Sequence, residues 1–454
     1  MAEVEVSLAR LATFRCQVHA SFVLRADVLT ELYHSLPLLS RIGGAVHASL
    51  PATFRRRFSS IYDGLRSGRI CRKALRRVLY RAQHTQAELV GGYAVYAVDV
   101  TAVLRPDAET MPERSHIYSV AHGVGRPGFQ YSFLGRVLRE GSSWVAPLEV
   151  DRVPAGGSPS EVAAGQVQHL AAMTTDDDPE QIVTADSNYA TRAFLNAFVG
   201  LKRIFVLVRL KNRRVLHREP PMPTAAMVKR HRKHGPKVHL QAPPAPDRVL
   251  ETTIGKHAVR IGVWLKLHFA DAPDLVGMLI RAEYLRPDGT PRFKRPLWLF
   301  WSGPETAVLE DLVRIYHLRY MIEHFFRFLK QHLGLLAMQV TKPVSQDNWF
   351  WSVALAYWLL LLGRELVQAE HRPWDPAARR NPARPLTPGQ VLQAWGAFSH
   401  CLSEVTESPR RWGKAPGRAS GYKEPQPRER HPALKKGESR GVRWRKLRGM
   451  TIRL

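Results

Sequence analysis

Cysteine is scarce in this chain. Among its 454 residues only Cys16, Cys71 and Cys401 occur, far apart and with no C-x2-C pair, so neither a disulfide framework nor a cysteine zinc site is expected. Acidic residues are also in deficit: 39 Asp and Glu stand against 67 Lys and Arg, a formal charge of +28. So large an excess costs self-repulsion unless a polyanion relieves it, which points to DNA or RNA ahead of a ribosomal or membrane surface. No long apolar run is present. The longest uncharged stretch, Asn348 to Gly363, is too short for a confident membrane span and is expected to be a buried helix. The opening MAEVEVSLARLATF lacks the basic-then-apolar order of a secretory leader, so a reducing, cytoplasmic setting is expected. The pattern H-E-x2-H is absent around His122, His231, His234 and His239, which argues against a zinc-dependent nuclease.

What the chain does contain is a spaced quartet, Tyr316, Arg319, Glu323 and Lys330, reading Y-x2-R-x3-E-x6-K. On a helix these offsets fall within roughly a 60° arc and span about 21 Å, so all four side chains are expected on one stripe. Ile315, Leu318, Ile322, Phe325, Phe326 and Leu329 fill the adjoining arc, the mark of an amphipathic helix docked on a core. A solvated face of mixed charges is the plainer reading, and such pairs contribute only tenths of a kcal/mol.

Two further carboxylates close apolar strands. Asp99 follows Val95 to Val98, and Asp186 follows QIVTA and precedes Ser187, Asn188 and Tyr189. A charge at such a position is costly unless it is paired or bound to a metal. With Glu323 they make a set of three oxygen donors suited to Mg²⁺, with Mn²⁺ as substitute. Two ions about 4 Å apart would then serve phosphoryl transfer. The run Asp176, Asp177, Asp178, lying before a proline, reads as a solvated turn without a catalytic role.

Along the chain, residues from about 26 to 85 read as helical with a dense basic face. In RICRKALRRVLYRA, Ile70, Leu75, Val78 and Leu79 are expected inward, and Lys73, Arg76, Arg77 and Arg81 in water. Strands are expected in GGYAVYAVDVTAV, HIYSVAHGVG, FQYSFLGRVL and WVAPLEV, then a helix in EVAAGQVQHLAAM, a strand in QIVTA, a helix in TRAFLNAFVGLK and a strand in RIFVLVRLK. A strand meander followed by alternating helices and strands indicates an α/β fold with a mixed sheet. The expected division is a helical region 1–90, a first core part 91–211, a β-rich insertion 212–302, a second core part 303–370 that carries the glutamate helix, and a proline-rich linker, short helix and basic tail over 371–454. The tail from about Ser408 is rich in Arg, Lys, Gly and Pro and is expected to order only on an anion.

YAVDVT, VTADSNY and the Y-x2-R-x3-E-x6-K quartet together resemble the DDE transposases of bacterial insertion sequences, of the insertion sequence 4 type, over about residues 90 to 365. The resemblance implies an RNase H-like catalytic core with a β-rich insertion before the glutamate helix. It implies that Asp99, Asp186 and Glu323 hold two divalent ions, and that Tyr316, Arg319 and Lys330 contact the DNA backbone near the cleaved element end. The implied partners are double-stranded DNA, as terminal inverted repeats and target, and a second copy of the chain on that DNA, in the bacterial cytoplasm at the nucleoid. It also offers Trp264, Trp298 or Trp301 as a platform for a flipped base. An RNase H-like nuclease or domesticated recombinase would carry the same residues, and a non-catalytic DNA-binding protein would use the carboxylates only in salt bridges.

Overall fold

The computed structural model describes residues 2–119, 124–220, 233–367, 385–409, 421 and 428–438. The proline-rich linker, most of the basic tail, His122, His231 and the first part of the basic run 229–237 within the expected insertion lie outside the described residues.

Helix begins earlier than the expected residue 26. Helix α1 (Ala2–Ala20) buries Leu11, Phe14 and Val18, a spacing that lays one apolar stripe on the core. It is followed by α2 (Ala26–Ser35), α3 (Phe58–Ser67) and α4 (Arg72–His84), with strands β1 (Phe22–Leu24) and β2 (Arg69–Ile70) pairing between them. On α4, Leu75 and Leu79 point inward and Lys73, Arg77 and Arg81 are exposed. Arg76 departs from the expectation. It turns under the helix to meet the buried Glu149 at 2.5 Å, because an interior carboxylate needs a cation more than water needs an arginine.

The centre of the molecule is one mixed sheet of twelve strands. Its first part comprises β3 (Ala94–Leu104), β4 (Ser115–Ser119), β5 (Val124–Val137), β6 (Val145–Arg152), β7 (Gln181–Ala185) and β8 (Ile204–Arg209), with α5 (Pro159–Ala171) and the short α6 (Arg192–Asn196) between β6 and β8. The strands β9 (Val215–Arg218), β10 (Lys237–His239), β11 (Arg248–Ile254), β12 (His257–Phe269), β13 (Ala272–Tyr284) and β14 (Leu297–Trp301) extend the same sheet, since β14 pairs antiparallel with β8. The strand order runs β10-β9-β12-β13-β14-β8-β7-β3-β5-β4, with β11 on β12 and β6 on β5. Among the described strands, β3–β7 and β7–β8 are the parallel pairs.

This continuity disposes of the three tryptophans as stacking platforms. Trp264, Trp298 and Trp301 are at most 2% exposed. Their indole N–H groups are already engaged within the protein, donating to Pro244 O, Asn212 Oδ1 and Pro304 O. In the turn before β7, Asp176 and Asp177 are exposed as expected, but Asp178 accepts the Tyr80 hydroxyl of α4 at 3.0 Å and so ties the turn to the helical region.

After β14 come α7 (Leu309–Leu318), α8 (Met321–Gln331), α9 (Pro343–Gly363) and α10 (Pro388–Ser399), the last opened by a capping box of Thr387 and Gln390. Helix α9 is apolar all round because it is enclosed all round. Phe14 of α1 stacks on its Trp358, whose Nε1 donates to Pro147 O of β6, and Asn348 Nδ2 donates to Leu65 O and Gly68 O beside α3. No helix among the described residues is long and apolar enough to cross a membrane.

Candidate active site

Strand register brings the two aspartates together. Ala97 of β3 is the in-register neighbour of Thr184 of β7, and the strands run parallel, so Asp99 and Asp186 each lie two residues beyond that pair. Two residues restore the same face of the pleat, and neighbouring strands are about 4.8 Å apart. Both carboxylates therefore emerge level on one face where the parallel pairing of β3 with β7 ends: Asp186 lies just past β7, but Asp99 does not close its strand as expected, since β3 runs on to Leu104 against β5. Asp186 is held by its own turn: Asn188 N donates to Oδ1 at 2.8 Å and Asn188 Nδ2 to Oδ2 at 3.0 Å. Lys211 Nζ in turn donates to Asn188 Oδ1 at 2.9 Å. Asn188 and Lys211 were missed as site residues, although an Asn two places after a strand-end Asp is a recognisable side-chain turn signal.

Glu323 is positioned through aromatic packing. Phe133 of β5 lies opposite Asp99 in the ladder, and its ring meets Phe325 and Phe326 of α8 edge-on at 5.7 and 5.2 Å. Docking of these two rings sets the first turn of α8, which carries Glu323, over the Asp99 face of the sheet.

The quartet does not lie on one uninterrupted helix. Arg319 and Tyr320 form a tight joint between α7 and α8, where Arg319 N donates to Tyr316 O, Tyr320 N to His317 O and Ile322 N to Arg319 O. These i→i+3 bonds overwind the chain locally. At the joint the Arg319 guanidinium spans two carboxylates, donating to Asp99 Oδ2 at 3.2 Å and to Glu323 Oε1 at 2.7 Å. Tyr316 is buried at 6% exposure, and Lys330 faces solvent.

The site carries an excess of negative charge. Burial pushes the Asp99 carboxyl up to about 6, the Val100 N–H and Arg319 pull against this, and the nearby Asp186 and Glu323 add to it. Burial also raises the Tyr189 phenol, and Asp99 and Asp186 raise it further. Burial opposes the Arg319 charge, but Tyr316, Asp99 and Glu323 outweigh it and hold the guanidinium above its ordinary value. Desolvation lowers the Lys330 ammonium, with Asp99 acting in the opposite sense. The six expected residues thus share one electrostatic neighbourhood.

The three carboxylates are oxygen donors of the kind a hard divalent ion takes. Among the described residues, however, no three acidic, His or Cys side chains are already gathered at ligand spacing, and Arg319 stands between Asp99 and Glu323. The surroundings are cationic. Asp99 and Asp186 open into a cleft of about 800 Å³ that Lys211, Arg213 and Arg214 also line. Tyr316 and Arg319 border a second hollow of about 640 Å³ with Arg209, Lys294 and Arg295.

Two sheet aspartates and a helix-borne glutamate thus form a carboxylate centre flanked by basic hollows. The family model described as Transposase DDE domain matches residues 91–359, more than half of the chain, and the chain belongs to that family. No curated protein matches the chain.

Proposed function

We propose that this chain is a DNA transposase of the insertion sequence 4 type, which cuts the ends of its element and joins them to target DNA. The observation that carries the reading is the parallel register that sets Asp99 level with Asp186, with Glu323 linked to Asp99 through Arg319. The three carboxylates would hold two divalent ions, Mg²⁺ or in its place Mn²⁺, which when bound supply an activated hydroxyl nucleophile and charge stabilisation at the leaving oxygen. The chain's own work is alignment. Asn188 fixes the Asp186 carboxylate, and the phenylalanine cluster fixes the base of α8. Tyr316, Arg319 and Lys330 would hold the DNA backbone beside the cleavage point, Arg319 exchanging its carboxylate partners for phosphate as the site is loaded.

The neighbourhood of β5-β3-β7-β8, with its antiparallel and parallel halves, supports an RNase H-like core over 91–211 and 303–370. Residues 212–302 would be the β-rich insertion. The helical region 1–90 and the basic tail would add DNA contacts, and two copies would bring two terminal repeats together in the cytoplasm. A second reading draws on the Arg319 pairing: a DNA-binding protein whose carboxylates serve only in salt bridges.

The test is Mn²⁺-dependent cleavage and joining of DNA that carries the gene's flanking ends. Asp99→Ala, Asp186→Ala and Glu323→Ala are each expected to reduce both steps at least about a thousandfold, some 4 kcal/mol of barrier, with DNA binding retained. Equal activity in all four proteins would leave the salt-bridge reading.

A further inference from the structure

Part of the basic C-terminal stretch belongs to the fold. Residues 428–438 run beside β4 at the end of the strand path, where Leu434 forms a parallel bridge with Ser115. His116 N donates to Leu434 O at 2.8 Å, and Leu434 N donates to Arg114 O at 2.8 Å. On either side of this bridge, His431 N donates to Glu109 O at 2.7 Å and Gly437 N to Gly156 O at 2.9 Å. Arg114 Nη2 closes the bend by donating to His431 O at 2.8 Å. Ala433 and Leu434 are buried. Gly156 has φ +76°, and a Cβ there would lie 2.5 Å from Glu438 O, so the backbone of the core is shaped to let this segment approach.

Docking has a chemical consequence. Lys436 is exposed and lines the same cleft as Asp99 and Asp186, together with Lys211, Arg213 and Arg214. It has no carboxylate partner among the described residues. Covering a strand edge would by itself explain the backbone bonds. It does not explain an unpaired ammonium delivered to the one wall of the carboxylate cleft that comes from far along the chain.

We infer that the docked segment 428–438 is a wall of the DNA cleft, and that Lys436 contacts a phosphate of the strand approaching Asp99 and Asp186. This rests on the transposase reading above. Leu434 is the anchor and Lys436 the contact.

The experiment measures duplex DNA binding over a KCl series, and Mn²⁺-dependent cleavage, for the full-length protein and for Lys436→Ala, Lys436→Arg, Lys435→Ala and Leu434→Asp. Loss of one phosphate contact lowers the slope of log affinity against log salt by about 0.9, so for Lys436→Ala the affinity lost between about 50 and 200 mM KCl should shrink by roughly 3.5-fold. Cleavage should fall with it, and Lys436→Arg should restore both. Lys435 is not among the residues lining the cleft, and its alanine variant should change the slope less. Leu434→Asp should reproduce the Lys436→Ala loss and remove hydrogen-exchange protection at the His116 amide. Equal slopes for Lys436→Ala and the unaltered protein would overturn the contact, as would equal changes for Lys435→Ala and Lys436→Ala. If in that case the unaltered protein still cleaves and Asp99→Ala does not, the transposase reading stands without it. If the unaltered protein cleaves nothing, the reading fails and the contact fails with it.

Discussion

Asp99 and Glu149 are both carboxylates drawn into the same sheet, yet they are treated in opposite ways. They pair with the adjacent residues Phe133 and Leu134 of β5, so they face opposite sides. Burial raises both. Glu149, 1% exposed, has the Arg76 guanidinium at 2.5 Å and His169 at 3.3 Å, with Asp151 as its acidic neighbour. Asp99 must share Arg319 with Glu323 and also faces Asp186. An interior acid with its own cation is architecture. One that divides a cation with other acids is left short of positive charge, and a metal ion can supply it.

The comparison can be broken most severely on the Glu149 side. Arg76→Ala is expected to destabilise the protein by about 3–5 kcal/mol in urea unfolding, because it strands a buried carboxylate. An effect near zero would mean that Glu149 is neutral and the pairing idle. Next in size is the response to metal. Mn²⁺ at about 100 times its dissociation constant should stabilise the protein by ~2.7 kcal/mol, seen as a rise in Tm, and Glu323→Ala should lose most of that rise while Glu149→Gln keeps it.

The smallest effect sharpens the contrast. Asp99→Asn should stabilise the metal-free protein by about 1–2 kcal/mol near pH 7.5, the full shift of about 3 kcal/mol being discounted for partial exposure, and should abolish cleavage once Mn²⁺ is supplied. The sign follows from a native pKa of about 6 against an ordinary 3.8. Between these values the native state holds the extra proton, so the stability Asp99 contributes is complete below pH 3.8 and is lost as pH rises through 6. The advantage of the Asn variant should accordingly vanish as pH falls below about 4, which urea titrations at several pH values would reveal.

The elements that carry the site were legible because their signals are local. An apolar run reaching an Asp announces β3 and β7, although β3 runs on past Asp99 to Leu104, and apolar residues three and four apart announce α8. The winding change at Arg319–Tyr320 was not, since a residue-spacing argument assumes constant pitch and the joint tightens it. Nor was the partnership of Arg76 with Glu149, or the joining of β14 to β8. Such contacts between distant segments leave no mark in a short window of sequence. The three tryptophans fall on the core side, as tryptophans in strand-like stretches more often do, and not on the stacking side that the resemblance offered: an indole on a strand has the same spelling whether its strand lies at a free edge or, as here, inside a sheet continued by others. Helix α1 was legible only as part of the helical region 1–90 and not as an element of its own, because its apolar stripe is narrow and Val4, Val6 and Leu8 are exposed.

Helix α9 touches α1 and β6 through the one side chain of Trp358, and α3 through Asn348, so the amino-terminal helices and the carboxylate-bearing sheet share a single interior. Regions successive along the chain are thereby fused mechanically. With no soft seam at this junction, a load applied to a DNA duplex gripped at both places would be taken up by the duplex rather than by a hinge there.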